Sequence, residues 1–85
     1  TDMTPPPPIP TFLDEEEIRS ILKQHPGLQY FWNELNHHMI VRRYPTFEDP
    51  VYEIQLTWQL GDRLESFAWV WVEALGGRVL QWRPD

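Results

Sequence analysis

The chain has 85 residues, five tryptophans, no cysteine and a formal net charge of −6 at pH 7. This length suits a single domain, and the lack of cysteine excludes disulfides, thiolate metal sites and cysteine nucleophiles. The negative charge argues against a nucleic-acid-binding protein, which would present a basic face, and no apolar run approaches the roughly 20 residues of a membrane-spanning helix.

Residues 1–12 form a proline-rich segment that we predict to be an arm or linker. The four consecutive prolines at residues 5–8 favour an extended polyproline II conformation, because proline fixes φ and has no amide hydrogen. A tether is the expected role; the alternative is a ligand for a proline-binding adaptor domain, although no arginine flanks the prolines. No signal peptide is visible, and a start at Thr1 without methionine is typical of a processed or trimmed chain.

Residues 14–25 predict an amphipathic helix. Asp14 is placed to cap the free amides of the first turn, and Glu17, three residues later, completes a capping box. Three consecutive glutamates also suit the positive end of the helix dipole. This role accounts for the acidic run, which could otherwise indicate a site for a metal or a cationic peptide. Pro26-Gly27 then ends the helix.

The next segment is ambiguous between helix and strand. Apolar residues at helical spacing favour a second, short helix that runs from residue 28 to about Asn36. A strand from residue 38 to residue 44 then follows. A strand that begins earlier, near Tyr30, is the alternative. The residues on the proposed helical face are Leu28, Phe31, Trp32, Leu35 and Met39.

The run from Pro50 to Trp82 predicts three antiparallel strands joined by tight turns. Val51–Leu60 alternates with a period of two, the pattern of a half-buried strand. The turn Gly61-Asp62-Arg63 leads into a strand rich in aromatic and β-branched residues over residues 64–75, and Gly76-Gly77 leads into the last strand. In the first strand Tyr52, Ile54, Leu56, Trp58 and Leu60 point one way, and Glu53, Gln55, Thr57 and Gln59 the other. The predicted fold is α+β, with one or two N-terminal helices packed on a three- to four-stranded antiparallel sheet.

Both faces of the central predicted strand are largely apolar. Phe67, Trp69 and Trp71 should line one face, and Ala68, Val70, Val72 and Ala74 the other. One face should pack on the helices. The other face must either be covered, by the proline arm, loops or a second copy, or bind a partner. The candidate contact residues are Trp58, Phe67, Trp69, Trp71 and Trp82.

No motif in the chain predicts catalysis, a metal or another cofactor. The adjacent pair His37-His38, with His25 as a third donor, is the most plausible metal site, but neighbouring residues on a strand face opposite ways. Ser20 and Ser66 lie in a predicted helix and strand, outside any nucleophile elbow. We therefore expect a protein that is not an enzyme.

Several short motifs resemble the PepSY domain. Tyr52-Glu53-Ile54 is similar to its Tyr-Glu-Val-like strand, and Val72-Glu73-Ala74 stands where Val-Asp-Ala is typical. Gly76-Gly77 replaces a Thr-Gly turn, and Val79-Leu80 matches the strand that follows. The resemblance spans roughly residues 14–82, within a single predicted domain at residues 13–85. It implies a non-catalytic domain, usually exported or associated with the cell envelope, of a kind found in propeptides of thermolysin-type peptidases and thought to regulate or inhibit proteases.

The leading prediction is thus a small protein-interaction domain of the periplasm or extracellular space that acts through its sheet face or a strand edge. Its expected partner is another protein, such as a peptidase, or a second copy of itself. Two alternatives stay open: a module that stacks a sugar or other small ligand on its tryptophans, and a structural homodimer.

Overall fold

A computed structural model describes residues 5, 10–33 and 36–85 of the chain. Helix α1 spans Glu15–Lys23, a 3-10 turn spans Pro26–Leu28, and helix α2 spans Gln29–Trp32. Four strands follow: β1 His37–Arg43, β2 Val51–Leu60, β3 Arg63–Glu73 and β4 Val79–Pro84. Most of the predicted proline-rich arm lies outside the described residues. None of the helices in the described part of the chain has the length and apolar character that crossing a membrane requires.

Helix α1 begins where the sequence predicts. The Asp14 carboxylate accepts a hydrogen bond from the Glu17 amide at 2.8 Å, and the Asp14 amide donates to the Glu17 carboxylate at 3.4 Å. Both halves of the capping box are therefore present. Ile18 and Leu22, one turn apart, are fully buried against the sheet. The helix ends at Lys23, and Gln24 is its C-terminal cap.

The second predicted helix is present but shorter than predicted. It begins as a 3-10 turn in which the His25 ring accepts a hydrogen bond from the Gly27 amide at 3.2 Å, and α2 then ends at Trp32 instead of near Asn36. The Asn33 amide bonds to the Tyr30 carbonyl at 3.3 Å, which tightens the last turn. Strand β1 accordingly starts at His37, so the alternative of a strand from near Tyr30 is wrong. Leu35 lies outside the described residues.

The strands form an antiparallel meander in the order β1-β2-β3-β4. Gly61, with φ 67°, occupies the turn between β2 and β3, and Gly77, with φ 79°, the turn between β3 and β4. In this second turn the Glu73 carboxylate accepts a hydrogen bond from the Gly76 amide at 2.7 Å. The predicted α+β fold, with N-terminal helices on a four-stranded antiparallel sheet, is confirmed.

Both helices and the 3-10 turn pack on one face of the sheet, which we call the helical face. Its core combines residues of α1, α2 and the 3-10 turn with inward residues of β2 and β3. The buried core comprises Ile18, Leu22, Leu28, Phe31, Tyr52, Ile54, Leu56, Val70, Val72 and Ala74. The alternation predicted for β2 therefore holds from Tyr52 to Leu56. Leu60, predicted to point inward, is 48% exposed at the far end of the strand.

Strand β3 contains an irregularity that the sequence did not predict. Leu56 pairs with Ala68 and Thr57 pairs with Ser66, so Phe67 has no partner across the ladder. Such a bulge places one extra residue in one strand and disturbs the alternation of its side chains. The Phe67 ring stacks on that of Phe31 with centroids 5.3 Å apart, which places Phe67 on the helical face. The prediction that Phe67 shares a face with the tryptophans of β3 is wrong for this reason.

Candidate functional site

The structure divides the five candidate contact residues between the two faces of the sheet. Trp58, Phe67 and Trp82 lie on the helical face, whereas Trp69 and Trp71 lie on the opposite face. The residues on the helical face contribute to packing. Only Trp69 and Trp71 remain together on a face that the described helices leave uncovered.

Trp58 and Phe67 extend the core beneath α2. Their ring centroids are 5.0 Å apart, and the Trp58 ring also meets the exposed ring of Tyr30 edge-on at 6.0 Å. Edge-to-face aromatic pairs of this kind stabilise packed structures beyond the area they bury. The two residues are therefore held between the sheet and α2, in a position that suits a structural role.

Trp82 packs against the 3-10 turn. Its ring lies 5.8 Å from that of His25 in an edge-on arrangement, and a Cβ atom added to Gly27 would lie only 2.6 Å from the Trp82 ring. Trp82 is paired with the buried Val70 in the ladder between β3 and β4. Close approach of the Gly27 backbone thus allows this indole to seal the edge of the core.

The opposite face, which we call the open face, is formed by outward side chains of all four strands. They include His38, Ile40, Arg42, Arg43, Glu53, Gln55, Thr57, Ser66, Trp69, Trp71, Gln81 and Arg83. Trp69 and Trp71 lie at its centre, two residues apart on β3, and both are half-buried. The face is therefore an aromatic centre with a polar surround, the arrangement typical of protein-interaction surfaces.

Polar side chains hold the Trp71 indole in place. Its Nε1 donates a hydrogen bond to the Glu53 carboxylate at 3.2 Å, and the Arg83 guanidinium lies 5.8 Å from its ring centroid. On the neighbouring row, the Arg42 Nε donates to the Gln55 side chain at 2.9 Å, and Gln55 is the ladder partner of Trp69. The open face is thus preorganised, because its charged groups already orient its aromatic ones.

Two hydroxyl groups are buried beside this aromatic centre. Thr57 is 2% exposed, and its oxygen and that of its ladder partner Ser66 have no hydrogen-bond partner among the described residues. A buried hydroxyl without a partner costs about 1–3 kcal/mol. Strand alternation predicts that Thr57 lies on the side opposite Leu56, as observed, but alternation alone gives no sign that it would be covered.

The two edge strands are poorly suited to pairing with another chain. The ladder between β1 and β2 shifts register between Val41 and Arg43, and the ladder between β3 and β4 shifts between Trp71 and Val72. Strand β4 also ends at Pro84, which has no amide hydrogen. Bulges, charged residues and prolines at sheet edges oppose edge-to-edge association. The open face is therefore the stronger candidate surface.

The histidines considered as metal ligands do not converge. The His37 ring lies 5.2 Å from Phe31 and 5.3 Å from Trp32 on the helical face, whereas its neighbour His38 is exposed on the open face. Within residues 5, 10–33 and 36–85 there is neither a group of three potential metal ligands nor a pocket. His25 instead caps the 3-10 turn.

Comparisons with protein-family models, curated proteins and solved structures found no match for this chain. The resemblance to the PepSY domain therefore stays a prediction. Of the open-face residues, Glu53, Gln55 and Thr57 follow from strand alternation, whereas Gln81 and Arg83 have no pattern that marks them.

Proposed function

We propose that the protein is a non-catalytic interaction domain that binds a partner protein through the open face of its sheet. The observation that carries this proposal is the pair Trp69 and Trp71, half-buried at the centre of a face opposite the helices. Tryptophan is enriched among the residues that dominate binding energy at interfaces, with truncation costs of about 2 kcal/mol or more. Fixed indoles also lose little conformational entropy when a partner binds.

The polar residues around the two tryptophans favour a protein partner over a partner whose surface is purely apolar. Glu53 and Arg83 carry opposite charges on either side of Trp71, which gives the face a defined electrostatic pattern. Such patterns select partners by charge complementarity more than they raise affinity. The irregular edges favour contact through the face over addition of a strand.

The resemblance to PepSY supplies the class of partner in this proposal. A secreted or envelope-associated peptidase is the expected target, and a periplasmic or extracellular location follows from the same resemblance. The order of helix before antiparallel strands and the acidic residue that caps the turn between β3 and β4 both support it. The proposed role is to regulate or inhibit that peptidase.

A second candidate is a carbohydrate-binding module. Trp69 and Trp71 follow each other at the spacing of alternate strand residues, and the side chains of Gln55 and Gln81 flank them with hydrogen-bonding amides. Sugar rings stack on indoles while their hydroxyls bond to such groups. Titration with soluble oligosaccharides, followed by tryptophan emission, separates this candidate from the first.

The proposal is tested by inhibition of a thermolysin-type metallopeptidase by the wild type and by Trp71→Ser. We expect the wild type to inhibit and the variant to inhibit at least tenfold less, about 1.4 kcal/mol. Tyr30→Ser, which removes a 64% exposed aromatic ring from α2 on the opposite side of the sheet, is the matched control and should inhibit normally.

Four results would contradict the proposal. Lack of inhibition by the wild type removes the peptidase as partner, and equal loss in Tyr30→Ser removes the open face as the contact surface. A response to oligosaccharides that Trp71→Ser abolishes transfers support to the carbohydrate module. Sedimentation that depends on protein concentration and on Trp71 would instead indicate the homodimer.

A further inference from the structure

A second surface, separate from the open face, is formed where the loop between β1 and β2 meets the start of α1. The tip of this loop is a tight turn in which the amide of Thr46 bonds to the carbonyl of Asp49 at 3.0 Å, and the reverse bond measures 3.1 Å. The Asp49 amide also bonds to the Thr46 hydroxyl at 3.0 Å. Phe47 and Glu48 occupy the tip of this turn and are exposed. Their positions are thus fixed by backbone hydrogen bonds.

Aromatic side chains connect this turn to the N-terminal segment. The ring of Phe47 lies 4.8 Å from that of Phe12, and the ring of Tyr44 lies 6.0 Å from that of Tyr52. The Tyr52 hydroxyl in turn donates to the Leu13 carbonyl at 2.6 Å. Phe47 is nevertheless 69% exposed and Tyr44 59% exposed. Two exposed rings in one loop, each packed against an aromatic ring of another segment, are more typical of a contact surface than scattered surface residues are.

Carboxylates lie beside these rings, and the neighbouring cation Arg43 is paired with Asp49 at 3.3 Å and with Glu53 at 3.9 Å. The Tyr44 hydroxyl donates to the Glu15 carboxylate, and this hydrogen bond is the main cause that raises the Tyr44 pKa above its usual value of 10.0. Burial raises the pKa of Tyr52, and the charges of Glu15, Asp14 and Glu17 raise it further. The phenols of Tyr44, just after β1, and of Tyr52, on β2, therefore both experience the Glu15 carboxylate. Glu48 adds an exposed carboxylate that forms no ion pair with any described residue.

We propose that this acidic aromatic end, formed by Phe12, Tyr44, Phe47, Glu15 and Glu48, binds a basic segment of a partner protein. An arginine or lysine of such a segment would place its charge over the exposed face of Phe47 or Tyr44, where the ring quadrupole attracts a cation. The carboxylates of Glu15 and Glu48 would attract the same charge from the sides. A basic peptide is the occupant that satisfies both features, because an apolar partner would leave the Glu48 carboxylate unpaired.

A bare metal ion fits the same surface less well. The carboxylates of Glu16 and Glu17 are engaged with Arg19 and with the Asp14 amide, so they do not converge on one point. A nucleic acid is repelled by the same charges. The acidic residues also stabilise the start of α1, but that role does not explain why Phe47 and Tyr44 are exposed beside them.

The proposal is tested with a short synthetic peptide that alternates arginine and serine, and a peptide with glutamate in place of arginine as the charge-reversed probe. Two-dimensional NMR with the full chain measures both affinity and location. We expect the arginine peptide to shift the amide signals of Phe12, Tyr44 and Phe47, and the glutamate peptide to shift none of them. Phe47→Ser and Glu48→Gln should each weaken binding by about tenfold.

Matched variants separate this site from general attraction to an acidic protein. Asp62→Asn removes an exposed carboxylate at the turn between β2 and β3, and Trp71→Ser removes an indole of the open face; both should bind the arginine peptide like the wild type. Absence of binding, signal changes spread evenly over the acidic residues, or equal weakening by Asp62→Asn would overturn the proposal. None of these outcomes bears on the open face, which the peptidase assay tests separately.

Discussion

At the scale of single residues, Gly77 links the last turn of the sheet to α1. Its φ of 79° lies in the left-handed region, and a Cβ atom at this position would lie 2.4 Å from the Ile21 side chain and 3.0 Å from that of Leu13. The sequence predicts a glycine turn at this point. It does not predict that the turn passes beneath the helix, because that contact joins segments far apart in the chain.

Replacement of Gly77 by alanine should therefore destabilise the protein more than replacement of Gly61. Both substitutions force a residue with a side chain into the left-handed region, at about 1–2 kcal/mol. Gly61→Ala meets no atom within 4 Å, whereas Gly77→Ala also overpacks the contact with Ile21, at about 1–3 kcal/mol more. Urea denaturation measures both free energies of unfolding. Equal losses in the two variants would show that the turn does not press on α1.

At the scale of elements, the bulge at Phe67 decides which aromatic residues build the core. A strict period of two places Phe67 with Trp69 and Trp71, but the extra residue turns its ring toward Phe31. No glycine or proline marks the bulge in the sequence, so the period-two pattern does not predict its position. Alternation succeeded along β2, where Trp58 keeps the face of Leu56, and failed at Phe67 of β3, because register is a property of two strands together.

Phe67→Ala should consequently lower the free energy of unfolding more than Trp71→Ala does. Loss of the Phe67 ring removes contacts with Phe31 and Trp58, so the free energy of unfolding should fall by about 3 kcal/mol. Trp71→Ala removes an indole from the open face and should cost clearly less stability. Thermal and urea unfolding of the two variants make the comparison. A larger loss in Trp71→Ala would mean that the open face is the better packed of the two.

At the scale of the whole molecule, residue pairs far apart in the sequence fasten the N-terminal segment to the sheet. The Leu13 amide bonds to the Ala74 carbonyl at 2.8 Å, and the Leu13 carbonyl accepts from the Tyr52 hydroxyl at 2.6 Å. Helix–sheet order and the amphipathic face of α1 were predictable, since both follow from local patterns. These two hydrogen bonds of Leu13 were not predictable. The open face and the acidic aromatic end lie on separate parts of the fold that they hold together.

The Tyr52 hydrogen bond predicts how stability depends on alkaline pH. Because burial first, and nearby carboxylates second, raise the Tyr52 pKa above 10.0, the fold favours the neutral phenol. The stability that this preference supplies is fully present below about pH 10 and is lost as pH rises through the folded-state pKa. Tyr52→Phe should lower the free energy of unfolding by about 1 kcal/mol at neutral pH, because it removes the bond to Leu13.

The same variant should lose less stability than the wild type when pH is raised to about 11, because it has no phenol to ionise at this position. Tyr44 still contributes a loss in both proteins, through its bond to Glu15. Tyr30→Phe, at a site 64% exposed, is the control, and its free energy of unfolding at neutral pH should equal that of the wild type. Urea denaturation measures the free energy of unfolding at each pH. If this free energy falls equally in the wild type and in Tyr52→Phe from neutral pH upward, the neutral Tyr52 hydroxyl does not stabilise the contact with the N-terminal segment.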